Sequence, residues 1–388
     1  AMQAAQTAYK TWKTVPAEQR AALVDKLADI MQRDRFKLIA TQVLEVGKPW
    51  AEADGDIGEA IDFCRYYARD MRTIQKPLRV GGLPGELSHY IYKSRGVTAV
   101  IAPWNFPLAI LAGMVTAAAV TGNTVVMKPA EQSSVVAWGL MKMIQEAGFP
   151  AGVVNFLPGF GEEVGEYIVN HKFTTTIAFT GSKAVGLHIL NRASVVQPGQ
   201  QHVKRCIIEM GGKNAVIIDN DADLDEAVDG VLYSAFGFSG QKCSAASRVI
   251  VLDEVYDRFT ERLVEAARSI EVMSAENPKA YMGPVVDQEA YERILNTISE
   301  AEKSNKLLFK GTVPSTGFFA PPTIFGEVPG DAKLAQQEIF GPVVAVIRAK
   351  NLDQAIEIAN STEYALTGGM FSRSPVSYTH LRAHETSL

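Results

Sequence analysis

Residues 96–128 read GVTAVIAPWNFPLAILAGMVTAAAVTGNTVVMK. The first seven residues, 96–102, form a short apolar run rich in β-branched side chains, the pattern of a buried strand. Residues 108–120 have the length and composition of a helix. TVVMK at 124–128 is a second buried strand. Strand, helix and strand in this order predict a right-handed βαβ unit and a parallel sheet. The pattern continues outward. GVVNFL (152–157), TTIAF (175–179) and RCIIE (205–209) supply three more strands. Helix-like segments at 134–147, 162–170 and 182–190 separate them. This is a doubly wound α/β architecture of the nucleotide-binding kind. Upstream, residues 1–75 read as helices, with Leu23, Leu27, Ile30 and Met31 at helical spacing.

A second α/β unit follows Glu209. NAVIID (214–219), RVIVL (248–252), LLFKG, a run near Thr323 to Val328, VVAVIRA (343–349) and ALTGGMFS (365–372) read as strands. Helices are expected at 223–236, 253–270, 288–304 and 352–360. The expected domains are 1–208, with the N-terminal helices, and 209–375. The stretch from Val376, VSYTHLRAHETSL, shows no strand or helix period and is expected to be a foreign tail. The chain is read as cut short at both ends.

Composition bounds the class. A chain of 388 residues with 47% hydrophobic residues, 21% charged residues and 31 glycines suits a two-domain globular enzyme. The net charge of −5 argues against a nucleic-acid partner. No apolar run is long enough to span a membrane. Three cysteines are too few for a disulfide framework and point to a reducing compartment, with the cytoplasm expected. The six histidines show no metal spacing, so no metal site is expected. Cys64, on a helix among Ile61, Phe63 and Tyr67, and Cys206, inside an apolar strand, read as core residues.

Cys243 reads differently. It sits in FGFSGQKCSAASR (236–248), a small-residue turn before a strand. Gly240, Ser244, Ala245 and Ala246 leave room for a substrate carbon, and Lys242 favours the thiolate that attacks. The competing reading is a buried thiol behaving as a small hydrophobe. Two glycine turns suggest a cofactor. PGFGEEVG (158–165) follows a strand and opens a helix as GxGxxxG, a pattern that also serves turns alone. Phe179-Thr180-Gly181-Ser182 ends another strand at a helix N-terminus suited to a phosphate. KPAE (128–131) offers an ammonium and a carboxylate to ribose hydroxyls, or a plain surface ion pair.

PWNFP (103–107), KPAE, FTGS (179–182), EMGGK (209–213), GQKCS (240–244) and EIFGPV (338–343) occur in that order. Together they resemble the aldehyde dehydrogenase superfamily over about residues 1–375. The closest branch is the one that oxidises L-glutamate γ-semialdehyde, the open form of 1-pyrroline-5-carboxylate. EVGKPWAEA, EAIDFCRYYAR, GVVNFLPGFGEEVG, KRCIIEMGGKNAVI, GQKCSAASR and YALTGGMFSRS carry that narrower likeness.

The resemblance implies an aldehyde-dehydrogenase-like α/β fold, with a Rossmann-type parallel-sheet NAD domain and an α/β catalytic domain. It implies Cys243 as nucleophile, Asn105 as oxyanion donor and Glu209 as the base that activates water. For NAD it implies Ile101, Trp104, Gly161 and Gly181, with Lys128 and Glu131 at the adenosine ribose and Ser182 at the pyrophosphate. Glu338 would hold the nicotinamide ribose, with Phe340 packed nearby. The Glu131 carboxylate should repel a 2′-phosphate and so favour NAD over NADP. For the substrate, it implies that Ser244 binds the carboxylate, Glu59 faces the α-amino group and Phe106 lines the aliphatic part. Without the family, Glu59 would read as an ordinary exposed helix residue.

Three alternatives stand beside this reading. One is another hydrolytic aldehyde dehydrogenase, such as one for succinate semialdehyde. A CoA-acylating relative is the second, against which Glu209 argues. The third is an inactive NAD-binding piece. The expected partners are a small aldehyde, a homo-oligomer in the full-length parent, and a proline dehydrogenase domain fused upstream in bifunctional relatives.

Overall fold

A computed structural model describes residues 1–385. The chain divides into two compact units. Unit 1 comprises Ala1–Val46 and Ala53–Met210, and unit 2 comprises Gly47–Glu52 and the chain from Gly211 onward. Glu209, expected to open the second domain, therefore lies in the first unit, which runs on to Met210, and a six-residue piece of the N-terminal region, Gly47–Glu52, belongs to the second.

Unit 1 begins with four helices, α1 (Met2–Trp12), α2 (Ala17–Arg33), α3 (Arg35–Val46) and α4 (Trp50–Ile74), the last starting in the unit 2 segment. A short antiparallel hairpin follows, β1 (Leu78–Arg79) with β2 (His89–Tyr90). The α/β body then runs β3 (Val97–Ile101), α5 (Ala109–Val120), β4 (Thr124–Lys128), α6 (Ser134–Ala147), β5 (Val154–Phe156), α7 (Glu166–Asn170), β6 (Thr174–Thr180), α8 (Lys183–Ala193) and β7 (Arg205–Glu209). The sheet is wholly parallel, in the order β5-β4-β3-β6-β7.

β3 and β4 are buried at every position, as central parallel strands covered on both faces must be. Val97, Ala99 and Ile101 alternate onto one face with Val126, Ile177 and Phe179, against Ile168 and Ile189. Trp12 Nε1 donates to the Ala119 carbonyl at 3.1 Å, and Arg20 Nε to that of Val120 at 2.7 Å, tying α1 and α2 to the end of α5. β7 is an edge strand with alternating exposure, so Cys206 is half-buried rather than a core residue, while Cys64 is fully buried.

Unit 2 contains β8 (Asn214–Ile218), α9 (Leu224–Phe236), β9 (Ala246–Leu252), α10 (Asp253–Ala267), α11 (Gln288–Ala301), β10 (Lys306–Lys310), β11 (Thr323–Gly326), α12 (Lys333–Gln336), β12 (Val343–Ala349), α13 (Leu352–Ala359), β13 (Gly368–Phe371) and α14 (Pro375–Glu385). Its sheet order is β10-β11-β12-β9-β8-β13, parallel except for β10. Alternation splits each strand between two cores. Ile217, Ile250, Ala345 and Ile347 face Ile294, Ile298 and Ile356. Val249, Val251, Val344 and Val346 face α9 and α10 through Val231, Phe259 and Leu263. The stretch from Val376, expected to lack regular structure, forms α14 instead, and its Leu381 is buried in the first of these cores. Its last three residues lie outside the described region. Among the described residues no helix is long and apolar enough to cross a membrane.

Candidate active site

In unit 1 the expected ligand-binding residues gather at the carboxyl ends of the five parallel strands. The chain crosses from one half of the sheet to the other between β3 and β6, and in such sheets the crevice outside these strand ends takes the ligand. After Ile101 the chain turns through 102–108. Ala102 N–H donates to the Lys128 carbonyl at 3.2 Å, joining the ends of β3 and β4. Asn105 is buried in this turn, with Trp104 and Phe106 half-buried beside it. The turn is fixed from behind by Asp56 on α4. Its buried carboxylate accepts from the N–H groups of Leu108 and Ala109 at 3.3 and 3.4 Å, and from Gln42 Nε2 at 2.5 Å. A carboxylate at the start of α5 also suits the positive end of the helix dipole. Glu59 is exposed, three residues further along α4.

Lys128 is almost fully buried, and its ammonium donates to Glu131 Oε1 at 2.9 Å and to the Pro129 carbonyl at 3.0 Å. The KPAE turn thus contains the ion pair that its sequence allowed, while the Glu131 side chain keeps 39% of its surface. Around GxGxxxG the glycines divide their work. Gly159 has φ +148°, and a Cβ there would lie 2.5 Å from Val164 Cγ2, so the turn itself requires glycine. Gly161 opens a single π-helical turn, Gly161–Gly165, and a Cβ there would meet nothing within 4 Å. Its backbone therefore faces open space, as a close approach by a phosphate needs.

Gly181 N–H donates to the Glu209 carbonyl at 3.1 Å, so the FTGS turn and the end of β7 lie side by side. Ser182 is the N-cap of α8, its Oγ accepting from Val185 N–H at 3.4 Å. Glu209 is exposed at the tip of β7.

Unit 2 positions the thiol. Ahead of it, Phe238, Ser239 and Gly240 all have positive φ, at 50°, 57° and 66°. Left-handed backbone at two non-glycine residues costs about 1–3 kcal/mol each, and such strain persists only where the surroundings enforce it. They do so here. Ser239 Oγ donates to the Gly283 carbonyl at 2.8 Å, Gln241 Oε1 accepts from Val286 N–H at 2.9 Å, and a Cβ on Gly240 would lie 2.4 Å from the Gly341 carbonyl oxygen.

The next turn carries Cys243. Ala245 N–H donates to the Lys242 carbonyl at 3.1 Å, closing it. Asn214 Nδ2 donates to the carbonyls of Cys243 and Ala245 at 2.7 and 2.9 Å, while its Oδ1 accepts from Thr367 N–H at 3.1 Å. Cys243 is half-buried and Ser244 exposed. This turn is clamped by long-range hydrogen bonds and does not belong to a packed core.

Glu338 packs against Gly211 and Gly212. Its Oε1 accepts from Gly212 N–H at 2.9 Å, and a Cβ on Gly211 would lie 2.2 Å from both carboxylate oxygens. A Cβ on Gly212 would lie 2.5 Å from the Cys243 carbonyl oxygen. Burial pushes the Glu338 carboxyl up, against the Gly212 N–H, Lys213 and Arg293, which lower it. Phe340 has φ 54° and, with Glu338, lines a cavity of about 10 Å³ shared with Gly212, Lys242 and Ala245. Unit 2 thus collects Cys243, Ser244, Glu338 and Phe340 around the EMGGK glycines. Asn214, Asp56 and Glu52 were missed by sequence reasoning. Their partners are remote in the chain, and no local pattern marks them.

The profile of the aldehyde dehydrogenase family matches residues 1–384. The 1-pyrroline-5-carboxylate dehydrogenase 1 of Halalkalibacterium halodurans is 48% identical over 375 residues, which are 96% of this chain and 73% of that protein. Among solved structures, proline utilization A (PutA) from Bdellovibrio bacteriovorus, inactivated by N-propargylglycine, superposes with a TM-score of 0.98 at 88% identity. The match covers 99% of this chain but 40% of the PutA chain. The Thermus 1-pyrroline-5-carboxylate dehydrogenase with bound NAD gives 0.97 at 46% identity, covering 99% of this chain and 75% of that one. With the profile matching nearly end to end and these relatives covering almost all of it, the chain belongs to the aldehyde dehydrogenase family.

Proposed function

We propose that this chain carries out the NAD-dependent oxidation of L-glutamate γ-semialdehyde to L-glutamate in proline catabolism. The observation that carries the chemistry is the clamped turn around Cys243, strained ahead of the thiol and pinned by Asn214 behind it. The names of the relatives support the substrate, since both 1-pyrroline-5-carboxylate dehydrogenases and PutA match almost the whole chain.

In the proposed cycle, the Cys243 thiolate attacks the aldehyde carbon to form a carbon–sulfur bond, and the carbonyl oxygen becomes an alkoxide. The Asn105 amide and the Cys243 N–H donate to that oxygen. Such an oxyanion donor contributes about 3–4 kcal/mol to the transition state. NAD, when bound, supplies the hydride acceptor that turns the adduct into a thioester. Glu209 removes a proton from water, the resulting hydroxide attacks the thioester carbon, and the carbon–sulfur bond breaks to release glutamate and the thiolate. Hydrolysis by this carboxylate, rather than transfer to CoA, distinguishes the proposal from the acylating alternative.

The residues present fit the cofactor. Open backbone at Gly161, the Ser182-capped N-terminus of α8 and the partly exposed Glu131 carboxylate suit a pyrophosphate and a ribose. Lys128, Gly181, Ile101 and Trp104 complete that proposed site, with Glu338 and Phe340 for the nicotinamide ribose. Ser244 is proposed for the substrate carboxylate, Glu59 for the α-amino group and Phe106 for the chain between. The parent protein is proposed to be an oligomeric cytoplasmic enzyme of the PutA kind, with a proline dehydrogenase domain in the same chain.

The test is NADH formation by the purified chain with glutamate semialdehyde and NAD, with and without CoA. NADH production that is independent of CoA, and faster than with succinate semialdehyde, supports the reading. A preference for succinate semialdehyde, or a requirement for CoA, overturns it.

A further inference from the structure

Lys242, the residue before the nucleophile, forms an ion pair that the proposed chemistry does not use. Its ammonium lies 2.8 Å from Glu52 Oε1, with side-chain exposures of 11% and 12%, and 5.0 Å from the centre of the Tyr233 ring. Gly237 is the floor of this niche. A Cβ there would come within 2.9 Å of Glu52 Oε1 and 3.3 Å of Lys242 Nζ.

Glu52 is held in place independently of Lys242. The segment Gly47–Glu52 is anchored in unit 2 where Gly47 packs so closely on Pro284 that a Cβ would lie 2.6 Å from it. Lys48 Nζ sits 5.0 Å from the Phe238 ring centre, and Trp50 Nε1 donates to the Glu276 carbonyl at 3.1 Å. The carboxylate is thus the fixed partner and Lys242 the positioned one. Lys242 in turn opens the hydrogen-bonded turn 242–245, whose other side Asn214 grips. An ammonium one residue from a thiol favours the thiolate, but a thiolate stabilised too far is a weaker nucleophile. A carboxylate at 2.8 Å offsets that charge. Tyr233 faces the pair directly, and Tyr281 lies within electrostatic reach of Glu52, Tyr233 and Asp229. Burial, with Asp229, Glu52 and Tyr233, pushes the Tyr281 hydroxyl up to about 12, so it stays protonated in the working range.

We propose that Glu52 and Lys242 are positioning residues for Cys243: the pair fixes the turn that carries the thiol and sets how much positive charge the sulfur feels. The inference rests on the function proposed above, but its test does not depend on it.

The test is the pH dependence of Cys243 alkylation by iodoacetamide in the intact chain, followed by the mass of the Cys243 peptide, with Cys206 as an internal control. Glu52→Gln leaves the ammonium unopposed and should lower the midpoint. Lys242→Met leaves the carboxylate unopposed and should raise it. Each shift should be about half a pH unit or more, and the double variant should return towards wild type. The kcat per alkylatable thiol should fall about tenfold in each single variant, with KM for NAD unmoved. Shifts in the same direction, or an unmoved midpoint with only a lower Tm, overturn the proposal. Lys242→Gln reads the same sign if Lys242→Met does not fold. The expected shifts in a chain with no dehydrogenase activity would leave the pair standing and sink the functional reading. Normal turnover with unmoved midpoints would do the reverse.

Discussion

The side-chain amide of Asn214 donates to the Cys243 carbonyl at 2.7 Å. The bond joins the start of β8 to a turn 29 residues later, and a second one to Ala245 makes the amide a two-point clamp. Replacing Asn214 by Ala should lower kcat about tenfold or more through a misplaced thiol. It should also cost about 1–3 kcal/mol of stability for the buried carbonyls left without a donor. Steady-state kinetics together with urea unfolding measure both effects. A stability loss with unchanged kcat would show that the clamp serves folding alone.

Two glycines should fail in different ways. Gly240→Ala faces a backbone oxygen at 2.4 Å and a left-handed φ, neither of which can yield, so it should lower Tm sharply or abolish soluble expression. Gly211→Ala meets the end of the Glu338 side chain, which can swing away from Gly212. It should keep Tm within a few degrees and raise KM for NAD severalfold. Thermal melts and NAD titrations of the two variants separate these outcomes.

Lys213 is buried, and its Nζ has no hydrogen-bond partner among the described residues. Burial first, and then Arg248, push its ammonium down to about 7, against Glu338, which raises it. Between about 7 and the ordinary lysine value the unfolded chain holds a proton that the folded chain has lost, so this group makes stability rise with pH across that window. Below it the destabilisation is constant. Lys213→Met should therefore raise Tm most at pH 7 and below, with the gain shrinking towards pH 10. A gain that does not depend on pH would contradict the burial argument.

Glu131 is the partner of a buried lysine and also the proposed reader of the 2′-hydroxyl. Glu131→Gln should raise the NADP/NAD ratio of kcat/KM by about tenfold, since the change removes one like-charge repulsion from a phosphate. An unchanged ratio would reduce Glu131 to the ion pair with Lys128.

Much of the architecture was legible because β3, β4, β8 and β12 are short β-branched runs buried along nearly their whole length. The β1–β2 hairpin was not. Its apolar residues, Leu78, Leu87 and Tyr90 among them, are exposed, so no burial period marks it. The helical turn from Pro375 was missed because one anchored residue, Leu381, leaves no periodic stripe. Cys243, Asn105 and Glu209 were singled out through motif order and stand as the proposed catalytic residues. Asp56, Glu52 and Asn214, which hold the turns around them, look like ordinary helix or strand residues until their distant partners are known.

The central claim is that Cys243 carries the acyl group and Glu209 releases it. The direct measurement is a single-turnover experiment on Glu209→Gln with glutamate semialdehyde and NAD, quenched and analysed by peptide mass. The account predicts a burst of NADH stoichiometric with active sites, slow turnover, and a glutamyl thioester on the Cys243 peptide that is absent from Cys243→Ala. NADH formation by Cys243→Ala, or an acyl group on any other residue, would contradict it.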